Sequence, residues 1–168
     1  MIIEFEGKMP KIDKSAFIAE NATIIGDVTI GKNVSVWYNA VLRGDVAPIA
    51  IGDNTSIQDG SIIHCGYDIP TIVGKNVSIG HHVNLHACEI KDNSLIGIGS
   101  IVLDKAVIGK NCIVGAGAIV TPRTKIPENS MALGIPAKVI KKISEDESCH
   151  LAKHAEVYVE LMKKYKNE

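Results

Sequence analysis

The chain has 168 residues, enough for one domain with its own core, and its 18 basic and 19 acidic residues leave a net charge of −1. No basic patch marks a nucleic-acid or anionic-membrane footprint, and the apolar runs are too interrupted for a transmembrane helix, so neither partner is expected. Aromatic residues make up only 4%, so the core must be built from small β-branched side chains.

The N-terminal stretch MIIEFEGKMPKID has no basic region followed by an apolar one, and no secretory leader is expected. Four cysteines (Cys65, Cys88, Cys112, Cys149) occur without a CxxC pair. They fit free thiols in a reducing cytoplasm better than a disulfide framework, so the expected location is cytoplasmic.

From Ile18 onward an aliphatic residue recurs every six positions: Ile18, Ile24, Ile30, Val36, Leu42; Ile51, Ile57, Ile63; Val73, Ile79, Leu85; then Ile90, Ile96, Val102, Ile108, Val114, Val120. Gly or another small residue often follows it, as in IGKNVS, IGDNTS and VGKNVS. A period of six matches neither an isolated helix nor a simple sheet. It matches a parallel β-helix whose coil is a triangle of three hexapeptides, the aliphatic pointing inward and Gly or Asn accepting the corner dihedrals. A β-sandwich would not hold one phase through so many repeats. The phase breaks three times: three extra residues at 48–50 (PIA), four extra near 65–72 (CGYDIPTI) and one lost at 85–90. Insertions in solenoids map to loops on the outside.

After IPENSMALGIPAKVIKKI the pattern changes. Ser144 with Glu147 forms a capping-box signature, and Leu151, Ala155, Tyr158, Met162 and Tyr165 then step by 4, 3, 4 and 3. The spacing predicts an amphipathic helix with one apolar stripe, its basic KKYK end suiting the negative end of the helix dipole. The hexapeptide repeat resembles that of left-handed β-helix proteins, from which the handedness is taken. The expected fold is therefore an all-β solenoid, a left-handed parallel β-helix over residues 1–143, with a C-terminal α-helix over 144–168 packed along the prism.

Counting hexads places the polar residues. Three hexads make one coil, so Leu42, Ile63 and Leu85 stack, and Arg43, His64 and His86, which follow them, share one edge. His81 belongs to the Ile79 hexad, one coil above Ile57; Asp59 then lies under it, with Gln58 alongside. Two edges of one prism are too far apart for a common zinc at ~2.0–2.1 Å from each nitrogen. Cyclic three-fold packing brings edge one of one copy to edge two of the next. A homotrimer with three metal sites between subunits is expected, with Arg43 and Asp59 paired across the seam. His82 falls outside this site.

The sequence resembles the gamma-class carbonic anhydrases and their carbonic-anhydrase-like relatives. FIAENATIIGDV, SVWYNAVLRGD, SIQDGSIIH, IGHHVNLHAC and GIPAK carry the resemblance over nearly the whole chain. It implies that His64 and His86 of one subunit and His81 of the next bind a metal, and that Arg43 and Asp59 form the inter-subunit ion pair. It also implies that Gln58 and Asp45 hydrogen-bond near the metal-bound solvent and that Tyr158, in VYVEL, stands near the site. The implied reaction is reversible hydration of CO2 to bicarbonate, a lyase activity in which metal hydroxide is the nucleophile. Zn2+ is the default, and Fe2+ or Co2+ also accept nitrogen and water ligands.

The match departs in places. A carboxylate after the position of Asp45 is Val46 here, the proton-shuttle glutamate of a long acidic loop falls on Tyr67, and an active-site asparagine falls on Glu160. Asp68 is the carboxylate that could accept protons in the short CGYDIP loop. Two other functions share the coil: a hexapeptide acyltransferase or metal-assisted acyl-CoA thioesterase, and a catalytically weak metal-binding trimer. A transferase needs one His as general base, not three at ligand phases, and a groove walled by a longer excursion than this chain has.

Overall fold

A computed structural model describes residues 1–166; Asn167 and Glu168, the last two of the expected C-terminal segment, lie outside the described residues. The chain winds into a parallel β-solenoid of about seven turns, a left-handed β-helix of hexapeptide repeats with one C-terminal helix. Three faces stack coil upon coil. On face I, Ile24 pairs with Leu42, Leu42 with Ile63, Ile63 with Leu85, Leu85 with Val102 and Val102 with Val120. Face II stacks Ile30, Ile51, Val73, Ile90, Ile108 and Ile126. Face III stacks Ile18, Val36, Ile57, Ile79, Ile96 and Val114. These are the residues of the six-residue repeat. Those from Ile24 to Ile126 are at most 3% exposed, so the centre of the prism is a column of branched aliphatics.

The corners explain why the period is six. Each coil turns three times, and the turning residue sits at positive φ: Asn33, Asn54, Asn76, Asn93, Asn111 and Asn129 between faces II and III, and Asn39, Gly60, His82, Gly99 and Gly117 between faces III and I. Asn and Gly tolerate this left-handed geometry best.

All three phase breaks fall on the third edge, between faces I and II. The first is not at 48–50 as the count suggested. Gly26 pairs with Gly44 and Val28 with Ile49, so Asp45–Pro48 bulge opposite Asp27 alone, while Ile49 and Ala50 are already back in register. Ile49 is 1% exposed and belongs to the core, which is why the extra residues sit earlier. The second break is a tight hairpin closed by bridging of Gly66 to Ile69, with Asp68 at φ 55. The third turns at Ala87, at φ 48.

The helix Glu145–Lys166 lies against the lower coils of face III. Its capping box forms: the Glu147 N–H donates to Ser144 Oγ at 3.2 Å and the Ser144 N–H to Glu147 Oε2 at 2.9 Å. Leu151, Ala155 and Met162 are buried, and the Tyr165 ring packs 5.1 Å from Trp37 and 5.8 Å from Phe17. The outward side chains here are Ser35, Ser56 and Ser78, small enough for a helix to approach the strands, and Ser35 Oγ–H donates to Ser56 Oγ at 3.1 Å.

Candidate metal centre and adjoining cleft

Strand register builds the first half-site. Arg43 pairs with His64, and His64 with His86, on consecutive strands Val41–Ile51, Ile62–His64 and Asn84–His86. The two imidazoles tilt against each other with centroids 5.2 Å apart. The bulge at 45–48 turns Asp45 toward them: the His64 Nε2–H donates to Asp45 Oδ1 at 2.9 Å, and the Arg43 guanidinium pairs with Oδ2 of the same carboxylate. Partial burial pushes the Asp45 carboxyl up, but hydrogen bonds from His64, its own backbone and Arg43 outweigh that and hold it below its ordinary value. His86 turns its Nδ1–H to Asp104, donating to Oδ1 at 2.7 Å.

The second half-site stands at the opposite edge of face I. Ser56–Ile57 pairs with Ser78–Ile79, which sets Asp59 under His81, and His81 Nδ1 lies 3.0 Å from Asp59 Oδ2. Gln58 is 3% exposed. His82 is not part of this cluster. It turns the corner at φ 56, donates its backbone N–H to Asp59 O at 2.9 Å, and lays its ring over Gly60, where a Cβ would meet His82 Nδ1 at 2.4 Å.

A cleft of about 380 Å³ opens beside His81, between the helix and face III. Gln58, His81, His154 and Tyr158 supply its polar groups, and Leu95, Ile98 and Ile113 its apolar wall. His154 and Tyr158, one helical turn apart, stack at 5.3 Å, and His154 Nδ1 lies 2.8 Å from Ser78 Oγ. Burial lowers the His154 ring below the usual imidazole value; burial and then the Asp59 charge raise the Tyr158 phenol.

The single chain thus brings His64 and His86 together, and Gln58, His81 and Tyr158 together, but holds the two groups on different edges. Within one chain Arg43 is paired with Asp45, and Asp59 stands against His81. Asp68 is exposed at the hairpin tip, and Glu160 is exposed and pairs with Lys163 at 2.6 Å. Asp45, His64 and Cys65 also place ligand atoms within 4.8 Å of one another. The Cys65 thiol is fully buried and faces the Arg43 carbonyl at 3.6 Å. Burial pushes the neighbouring Cys88 thiol up to about 12.

The donor set fits a metal. Each of the three imidazoles has one ring nitrogen against a carboxylate (Asp45, Asp59 or Asp104), while among the described residues the other has no hydrogen-bond partner. That is the arrangement of a metal-ligating histidine and its outer carboxylate. Sequence reasoning missed two residues. One coil up from His86 the count falls on Leu103, while the residue that reaches the ring is its neighbour Asp104. The i, i+4 spacing of His154 and Tyr158 did carry a signal, that both share the helix face turned to the cleft.

Fold and site together define a hexapeptide-repeat solenoid carrying two histidine half-sites on separate edges. The family "Bacterial transferase hexapeptide (six repeats)" matches residues 9–44 and 87–122. A carbonic anhydrase from Geobacillus kaustophilus is 48% identical over 99% of this chain and 91% of its own. Gamma carbonic anhydrase 2, mitochondrial, from Arabidopsis thaliana is 38% identical over 96% of this chain, which spans 60% of that longer protein. The crystal structure of a hexapeptide transferase family protein from Anaplasma phagocytophilum superposes with a TM-score of 0.95 at 43% identity, covering 98% of both chains. The chain belongs to the gamma-class carbonic anhydrase family.

Proposed function

We propose that this protein catalyses the metal-dependent, reversible hydration of CO2 to bicarbonate at sites shared between the subunits of a homotrimer. His64 and His86 of one copy and His81 of the next hold the ion. The observation that carries the reading is the placement of the two half-sites at opposite edges of one face. The outward side chains of that face include Val41, Ile62, Ile101 and Ile119, with Ile62 47% exposed. An apolar face flanked by complementary half-sites suits a ring of copies that closes at three. In such a ring Arg43 of one copy would meet Asp59 of the next.

The bound metal supplies a water that ionises near neutral pH. Zn2+ suits three imidazoles, as do Fe2+ and Co2+. The rest falls to the side chains. Gln58, buried on the cleft wall, offers an amide that accepts and donates, and so orients a reacting oxygen. Asp45, held ionised by Arg43 and His64, accepts a hydrogen bond beside that position. Tyr158 lines the approach with an un-ionised hydroxyl. The apolar wall beside them suits CO2, which has no net charge. The released proton has Asp68 at the exposed hairpin as a carboxylate acceptor. Free thiols, three of them buried, support a reducing compartment, the cytoplasm. No helix among the described residues is long and apolar enough to cross a membrane.

Acyl transfer is suggested by the names of the matching repeat family and of the Anaplasma relative, but the excursions here are a bulge and a tight hairpin, too short to wall a coenzyme groove. Stopped-flow CO2 hydration by the protein loaded with Zn2+ or, anaerobically, Fe2+ tests the proposal. Catalysis that chelation abolishes is the expected result. Metal-bound trimer without hydration would leave a binding protein, and metal-free protein that hydrolyses acyl-CoA would contradict the reading.

A further inference from the structure

His86 is not held by its own strand alone. Its Nδ1–H donates to Asp104 Oδ1 at 2.7 Å, from the next coil. The backbone around Asp104 is clamped from both sides: the Lys105 N–H donates to Ala87 O at 2.7 Å below, and the Arg123 N–H to Asp104 O at 2.8 Å above. The main chain that carries the carboxylate is therefore fixed opposite His86. Lys105 and Arg123 flank it on the same edge, yet among the described residues its ion-pair partner is the His86 ring. With two cations on the same edge, the carboxylate is nevertheless turned to the imidazole.

We propose that Asp104 is a positioning residue for the metal site: it fixes the Nδ1–H tautomer of His86 and leaves the Nε2 lone pair free to bind the ion. The chemistry is strict. A neutral imidazole carries one proton, and a nitrogen can ligate only if the proton is on the other. A carboxylate accepts but cannot donate, so it selects Nδ1–H, and its charge makes the far nitrogen a better donor to metal. An ordinary exposed His–Asp contact would contribute little to stability and would leave metal binding untouched.

The inference rests on the metal reading, and the experiment separates the two. Zn2+ affinity is measured by chelator competition for wild type, Asp104→Ala, Asp104→Asn and, as a surface control, Lys105→Ala, with trimer content checked by sedimentation. Asp104→Ala should weaken Zn2+ binding by ~10–100-fold. Asp104→Asn, whose amide oxygen can still accept Nδ1–H without the charge, should recover part of the loss, and Lys105→Ala should match wild type. In the metal-free protein, nitrogen NMR of the His86 ring should show the Nδ1–H tautomer in wild type and a growing Nε2–H population in Asp104→Ala. Unchanged affinity and tautomer in a trimeric Asp104→Ala protein would overturn the proposal alone. Zn2+ binding that survives His86→Ala would overturn the metal reading and the proposal with it.

Discussion

Two edges of the same prism show what a repeat does when it only has to fold and what changes when it carries chemistry. Between faces II and III, Asn occupies the corner of coil after coil, with φ between 53° and 59°. Its amides form a ladder: Asn33 Nδ2–H donates to Asn54 Oδ1 at 3.1 Å, Asn54 to Asn76 at 3.0 Å, and Asn76 to Asn93 at 3.0 Å. The amides along this edge bond mainly to one another. Between faces I and II three successive corners differ from one another, before Lys105 and Arg123 restore a regular turn. A bulge places Asp45, a hairpin closes at 66–69, Ala87 shortens the turn, and His64 and His86 stand among them. The structural edge keeps the six-residue spacing from end to end; the chemical edge holds every departure from it. Uniform spacing gives identical neighbours, and a site needs unlike groups brought to one place.

That contrast can be broken by substitution. The largest effect is expected at a half-site: His81→Ala should reduce Zn2+ affinity by more than the ~100-fold typical of losing an outer-shell partner. Its thermal midpoint measured without metal should stay close to wild type, since His81 is a surface residue. On the ladder the outcome should reverse. Asn76→Ala loses two side-chain hydrogen bonds and puts a Cβ without a polar partner at φ 54. A loss of about 2 kcal/mol in denaturant unfolding is expected, with Zn2+ affinity unchanged.

A smaller effect is expected at the hairpin. Asp68→Asn keeps a residue that tolerates positive φ and removes only the carboxylate. Hydration in dilute buffer should slow by roughly tenfold, and added imidazole should restore it. The smallest concerns the face under the helix. The His154 ring titrates below its unfolded value of 6.5, so the unfolded chain takes up its proton first as pH falls. Stability from this group is full above 6.5 and declines as pH drops toward the lower folded value. A His154→Gln protein should show a flatter thermal midpoint between pH 7 and 5.

The prism was legible in the sequence because its cause is local and periodic: every coil must bury one branched aliphatic per face, and it does. The helix was legible for the same reason, through Ser144, Glu147 and a clean apolar stripe. Where periodicity stops, so did the reading. Between Arg43 and Ile51 the count shows three extra residues but cannot say which. The count put them at 48–50, and burial of Ile49 decides for Asp45–Pro48 instead. The stacking of Arg43, His64 and His86 followed from phase alone. Asp104 did not, because it reaches His86 diagonally across coils, and a repeat count sees only direct neighbours.

The central claim is that each metal site takes His64 and His86 from one copy and His81 from another. Mixing tests it most directly. His81→Ala and His86→Ala proteins, each unable to hold Zn2+ alone, are unfolded together, refolded and assayed for bound metal and CO2 hydration. A shared site requires that mixed trimers regain one intact centre, made from His64 and His86 of the first variant and His81 of the second. If refolding together restores neither metal nor activity, while wild type carried through the same steps regains both, the site does not lie between subunits.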